Sequence, residues 1–192
     1  MARAGPVFSA RSAGRAAALS SFVSLGNATQ PFPRLLDAIR AAEALLPRPL
    51  LVQHGATPPE TLVSLAGTSL VPFVDMVRFE AEILSARLLL LHAGAGSVLH
   101  AVRAGKRPIV MARRQHLGEH IDDHQLEFAR TLAASGHVLL AETAEDLPQA
   151  IAHALADPAG AVTHGQDSLM VRLVSDTLAG YAASLPSRSE PA

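Results

Sequence analysis

Two stretches of this chain hold residue types that could do chemistry at their spacing. The first is His92-Ala93-Gly94-Ala95-Gly96-Ser97, set between the apolar run Leu88-Leu89-Leu90-Leu91 and a helical-looking Val98 to Ala104. A buried strand, a glycine turn and a helix N-terminus in that order can hold an anion. Gly94 and Gly96 let the backbone turn tightly and approach a ligand with no Cβ in the way. The helix points unpaired N–H groups and the positive end of its dipole above the turn, which suits a phosphate or pyrophosphate. Ser97 either caps that helix or donates its hydroxyl to the anion. An ordinary strand–helix turn that binds nothing has the same local pattern, with His92 as a hydrogen-bonded residue at a strand end.

The second stretch is the polar run from Arg113 to Gln125. Histidines at His116, His120 and His124 are four apart, which on one helix would align metal ligands. Gly118 argues against a helix across all three, and Ile121 after His120 breaks the metalloprotease pattern HExxH. A solvated loop with a helix cap at Asp122 or Asp123 is the stronger reading, and no metal site is assigned.

These residues need a scaffold, and the apolar pattern supplies one. Phe22 to Leu25, Leu50 to Gln53, Ser69 to Phe73, Arg87 to Leu91, Ile109 to Ala112 and His137 to Ala141 read as strands. The third is peripheral because it contains proline. Helices are expected from Pro33 to about Leu46, Met76 to Ser85 with Asp75 as cap, around His124 to Ala134, and Glu145 to Ala156. Strands alternating with helices of this length imply a parallel sheet covered on both faces. Ligands of such sheets bind beyond the carboxyl ends of the strands, so the loops at Gly26, His54, Gly94 and Arg113 should share one rim.

Composition narrows the classes further. With 49% hydrophobic and 17% charged residues, the 192-residue chain fits one compact domain rather than a disordered one. A net charge of -1 and 4% aromatic residues give no case for nucleic acid. The absence of cysteine removes disulfides and thiolate metal sites. No stretch has the length of a transmembrane helix. Ala16 to Leu25, behind Arg11 and Arg15, resembles a weak signal-peptide core, but its end reads better as the first strand. Residues 1–20 are then a flexible extension or the product of an early start codon. The domain is expected over 21–160, an amphipathic helix near Ser168 to Leu185 within a segment 161–185, and a disordered tail over 186–192.

Leu91-His92-Ala93-Gly94-Ala95-Gly96-Ser97, then Ala104-Gly105-Lys106-Arg107-Pro108-Ile109-Val110, then His124-Gln125-Leu126-Glu127-Phe128-Ala129 resembles the C-terminal domain of family 28 glycosyltransferases. The likeness extends to Val23-Ser24-Leu25-Gly26 with Gln30-Pro31-Phe32, to Gln53-His54-Gly55 and to Val71-Pro72-Phe73, and so covers roughly residues 21–156. It implies an α/β, Rossmann-like parallel sheet with helices on both faces, the donor-binding C-terminal half of a GT-B fold. The chain is most similar to short single-domain subunits: the catalytic half of the eukaryotic dolichol-linked GlcNAc transferase, and bacterial exopolysaccharide proteins with Gly118-Glu119-His120 before Asp123-His124-Gln125. In those systems a membrane-anchored partner supplies the other half and the lipid-linked acceptor site. That places the chain in the cytoplasm, recruited to the inner face of the membrane.

The resemblance also implies roles. Gly94, Ala95, Gly96 and Ser97 would hold the pyrophosphate of a UDP-sugar donor, and Gly26 and Asn27 would line the cleft on the diphosphate or acceptor side. His124 and Gln125 match positions that contact donor sugar hydroxyls, and Arg113 or Arg114 would add positive charge. His100 stands where the family commonly has an acidic residue on the nucleotide ribose, so the bidentate grip is lost. No cofactor, obligatory metal or general base is implied in this chain. A non-catalytic regulatory or binding subunit of the same fold is the alternative. A sugar-nucleotide epimerase, which normally has both domains in one chain, is a third.

Overall fold

Short apolar runs bounded by glycine and proline form the strands. The computed structural model describes residues 20–62 and 66–157. In chain order the strands are Ser21–Ser24 (β1), Leu50–Gln53 (β2), Thr68–Val71 (β3), Leu88–His92 (β4), Ile109–Met111 (β5) and Leu139–Leu140 (β6). The helices are Pro33–Ala41 (α1), Met76–Ser85 (α2), Ala95–Arg103 (α3), His124–Ala134 (α4) and Leu147–Ala156 (α5).

The six strands of the described residues form one sheet in the order β3-β2-β1-β4-β5-β6, and every neighbouring pair is parallel. The chain works outward from β1 to β3, crosses back to lay β4 beside β1, and works outward again. Successive strand residues face opposite ways. Val23, Val52, Leu88, Leu90 and Met111 therefore meet α1 and α5 in one core, while Phe22, Leu51, Leu89 and Leu91 meet Phe79 and Ile83 of α2. Farther along that second face Val110 packs with Val98 of α3 and Phe128 of α4. Burial on both faces is why the strands read as nearly unbroken apolar runs.

Several boundaries differ from the sequence expectation. α1 ends at Ala41 and a 3-10 turn, Glu43–Leu45, takes over ahead of Pro47. α3 begins at Ala95, not Val98, because the small residues of its first turn carry no apolar signal. The last strand shrinks to Leu139–Leu140 because His137 is held in the preceding turn, its Nδ1 2.7 Å from Ser135 Oγ. α5 starts at Leu147, and Asp146 Oδ2 accepts from the Thr143 amide at 2.9 Å to close the turn before it. By contrast β2, α2 and α4 run as expected, and Asp75 caps α2 by accepting from the Arg78 amide at 2.8 Å. The extension expected over 1–20, apart from Ser20, the helix expected from Ser168 to Leu185 and the tail over 186–192 lie outside the described residues. Among the described residues no helix is long and apolar enough to cross a membrane.

Leu90 sits in central β4 with none of its surface exposed. Leu90→Ala should cost about 2–5 kcal/mol in chemical denaturation, against about 1 kcal/mol for the cap variant Asp75→Ala. Equal costs would contradict this placement of the core.

Candidate functional site

The reversal of strand order between β1 and β4 leaves a crevice at their carboxyl ends, the place where open parallel sheets bind ligands. A cavity of about 300 Å³ lies there. Its polar end is built by Ser24, Gly26 and Asn27 after β1, Gln53 at the end of β2, and the first turn of α3. Its apolar end is built by Val74, Met76 and Phe79 at the start of α2, with His100 across from them on α3.

The N-terminus of α3 faces this cavity with uncommitted donors. Gly94 is the N-cap, no side chain caps the helix, and no acidic residue lies in the first turn. The Val98 amide returns to Gly94 O at 3.1 Å. The amides of Ala95, Gly96 and Ser97 stand ahead of the first intrahelical bonds, as helix geometry requires. Ser97 lies inside the helix and does not cap it, which leaves its hydroxyl for the cleft. A Cβ on Gly96 would meet no atom within 4 Å, so a ligand can approach the backbone there.

Gly94 is glycine for a different reason from the one the sequence suggests. A Cβ there would fall 2.2 Å from Nε2 of His92, and one on Gly26 would fall 2.5 Å from the same ring. Gly26 also has φ +78°, a backbone that side-chain-bearing residues rarely adopt. The two glycines thus make room for an imidazole that forms the floor of the cleft. The ring's Nδ1 is buried without a hydrogen-bond partner. Burial first, and then the charges of Arg113 and His120, lower the His92 pKa from 6.5 to about 4 against a backbone hydrogen bond at Ser24. His92 is therefore a neutral group at physiological pH.

Asn27 is oriented by a short relay. Ser24 Oγ donates to Gln53 Oε1 at 3.1 Å, and Gln53 Nε2 donates to Asn27 Oδ1 at 2.9 Å. With its carbonyl taken, Asn27 turns its NH₂ group, a double donor, away from Gln53. Motif reasoning did not pick out His92, Ser24, Gln53 and Phe79 as site residues. The position of each at the carboxyl end of a strand or the start of a helix was the available signal.

Of the residues expected at the site, Gly26, Asn27, Gly94, Ala95, Gly96, Ser97 and His100 line one cavity. His100 Nδ1 lies 3.4 Å from Glu80 Oε1 on α2. Three expected residues do not line it. Arg113 is 1% exposed, and its guanidinium donates inward to the carbonyls of Leu25, Gln30 and Glu119. It is a correction to the expected diphosphate cation: those carbonyls already take its charge, and burial lowers its pKa to about 10 despite Glu119. Gln125 Oε1 faces the Arg113 amide at 3.4 Å, and His124 Nδ1 lies 3.0 Å from Asp122 Oδ2. His54, expected on the same rim, bonds through Nδ1 to Thr57 O at 2.8 Å and closes its own loop.

The three spaced histidines do not share a helix. Gln115–Leu117 is a 3-10 turn, Gly118 is left-handed at φ 68°, and α4 starts only at His124. Asp122 instead bridges two of them, accepting from His120 Nδ1 at 3.1 Å as well as from His124. Burial pushes the Asp122 carboxyl up, but the hydrogen bonds from His124 and the charges of both histidines leave it below its ordinary value. Among the described residues no group of three or more His, Cys, Asp or Glu is placed to hold a metal ion.

The family model of the glycosyltransferase family 28 C-terminal domain matches residues 22–171, most of the chain. The chain belongs to this family. A curated relative, the UDP-N-acetylglucosamine transferase subunit ALG13 of Yarrowia lipolytica, is 41% identical over 59 residues, which is 31% of this chain and 28% of that protein. The solution structure of ALG13 superposes with a TM-score of 0.59 at 18% identity, covering 84% of this chain and 97% of that one. Acinetobacter baumannii MurG superposes with a TM-score of 0.56 at 21% identity, covering 88% of this chain but 51% of MurG. Such structural likeness establishes the fold, a Rossmann-like half of the GT-B architecture. The chain spans about half the length of MurG and 28% of the curated relative.

The His92 ring makes the two glycines of the turn unequal. Gly94→Ala should destabilise by about 1–3 kcal/mol, because the methyl has to displace a buried ring, whereas Gly96→Ala should be neutral or slightly stabilising. Thermal or urea melts of the two variants check this, and equal effects would contradict it. A second prediction concerns pH. The unfolded chain binds a proton at His92 near pH 6.5, whereas the folded chain does so only near 4. Stability from this group is therefore full above pH 6.5 and is lost as pH falls toward 4, by up to about 3 kcal/mol. His92→Gln should lack that share of the slope in urea melts between pH 4 and 7.

Proposed function

We propose that this chain is the donor-binding catalytic subunit of an inverting glycosyltransferase that moves a sugar from a UDP-sugar to a lipid-linked acceptor, in surface polysaccharide or glycolipid synthesis. The observation that carries the reading is the N-terminus of α3, with no side-chain cap and no acidic residue in its first turn, lining a cavity at the switch point of a family 28 domain. A pyrophosphate there would accept from the amides of Gly96 and Ser97, the Ser97 hydroxyl and the Asn27 NH₂ group. Val74, Met76 and Phe79 offer an apolar wall for the base. His100 follows Ser97 by three residues, about 4.5 Å along the helix axis, which suits a ribose hydroxyl next to the phosphates.

The chemistry assigned to this half is leaving-group stabilisation. The acceptor oxygen attacks the anomeric carbon and gives up its proton to a base. The bond from that carbon to the diphosphate breaks, and the electron pair goes to the terminal phosphate oxygen. Fixed N–H donors and a helix dipole aimed at that oxygen favour the transition state, where its charge develops. His92 below the turn is neutral at neutral pH and adds no charge of its own, so the stabilisation comes from the helix donors.

A second, membrane-anchored polypeptide is proposed to complete the enzyme with the acceptor half, at the cytoplasmic face of the membrane. Two facts support this: a curated relative is by name a subunit, and apolar side chains stand exposed from β3 to the first turn of α2, with Met76 at the apolar end of the cavity. These are Phe73, Met76 and Val77, each more than half exposed. A non-catalytic subunit of the same fold is the second reading. His100, where the family commonly has a carboxylate, favours it. Partner binding without sugar transfer by the co-purified pair would select it.

Calorimetric titration with UDP tests the donor site. The chain, or the chain co-purified with its partner, should bind UDP equally with and without Mg²⁺, and Gly96→Trp should abolish binding while keeping the fold. A well-folded pair that ignores UDP would contradict the reading.

A further inference from the structure

Sequence offers Arg113 as a cation for the diphosphate, but the structure gives it other work. Its Nη2 donates to Leu25 O at 2.7 Å and its Nη1 to Gln30 O at 2.8 Å, the two ends of the loop that carries Gly26 and Asn27 into the cleft. Nη1 also reaches Glu119 O at 2.9 Å. The guanidinium lies 4.8 Å from the centre of the Phe32 ring, and Arg34 lies 5.2 Å from the same ring. Arg34 in turn forks onto Glu119 at 3.1 and 2.8 Å and donates to Ala112 O at 2.6 Å. Glu119, itself 3% exposed, also accepts from the Arg114 amide at 2.9 Å. The loop after β1 and the loop after β5 are thus tied through one aromatic ring and two planar cations.

We infer that Arg113 is a positioning residue: it clamps the Leu25–Gln30 loop at both ends and thereby sets where Gly26 and Asn27 stand in the donor cleft. The inference rests on the donor-site reading above, since cleft geometry is what the clamp serves. A spread, planar set of donors is needed to reach both carbonyls, and lysine has one ammonium where arginine has a fork. The clamp therefore differs in a measurable way from a cation that touches the ligand. A direct charge would be largely kept by lysine and weakened by salt; a clamp would not be.

The experiment compares Arg113→Lys and Arg113→Met with wild type and with Leu132→Ala, a core variant of α4 in a cluster that holds no residue of the 25–32 segment. Amide hydrogen exchange and UDP calorimetry at low and high salt are the two readouts. Both Arg113 variants should speed exchange across residues 25–32 by roughly tenfold or more, since each loses at least one of the two buried charge-assisted hydrogen bonds to the loop. UDP affinity should fall by a similar factor in both, with no rescue by lysine and the same loss at either salt. Leu132→Ala should leave both readouts at the wild-type level in that segment. Lysine rescue, a loss confined to low salt, or unchanged exchange at 25–32 would each overturn the inference. If neither Arg113 variant folds, Phe32→Leu removes the stacking surface without touching a charge, and it should speed exchange across the same segment. If wild type does not bind UDP, the donor-site reading fails, while the exchange arm still decides the clamp.

Discussion

One packing contact determines the shape of the cleft: the His92 imidazole lodged between the backbones of Gly26 and Gly94. Strand order brings β1 and β4 side by side, and both chains must turn away at their carboxyl ends. The ring fills the space where both turns would otherwise place a Cβ. That contact lets the β4–α3 turn sit low enough for α3 to begin at Ala95, and so brings its first-turn amides to the wall of the cavity. It also requires the ring to be neutral, because a protonated imidazole there would be desolvated and close to the charges of Arg113 and His120.

Two kinds of positive character surround the site, and they do different work. The α3 N-terminus is positive with its donors unspent, which is the condition for binding an anion. Arg113 and Arg34 are fully charged but spent on carbonyls and on Glu119, which makes them fasteners. Glu142 similarly gathers Arg130 and Arg114, and the hydrogen bond from Arg130 holds its carboxyl below its ordinary range. Charge on the rim is therefore largely paired within the chain, and an incoming anion finds its unpaired donors at the helix start.

Sequence made the scaffold legible because its signals are local. Leu50–Gln53 and His124–Ala134 stand out because proline, glycine and acidic breaks bound them, and Asp75 is readable as a cap because a cap acts within one turn. The same holds for the glycine turn, whose motif named Gly94, Ala95, Gly96 and Ser97, four residues that line one cavity. The role of Arg113 was not legible in this way. Its partners Leu25 and Gln30 are 88 and 83 residues away, and adjacent arginines in a polar run look like surface charge. Gly94 misled for a related reason. Glycine signals that a Cβ is unwelcome, but whether the obstacle is a ligand or the chain's own histidine appears only when strand neighbours are known.

The most direct test of the account is to follow the backbone amides of the isotope-labelled protein by NMR while UDP is added, with the partner subunit present if the chain alone does not bind. The account predicts saturable shifts centred on Gly96 and Ser97, with Gly26 and Asn27 responding at the same ligand concentrations and the Arg114–Glu142 region still. Saturable shifts centred on that arginine-lined region, with the first turn of α3 unmoved, would contradict it.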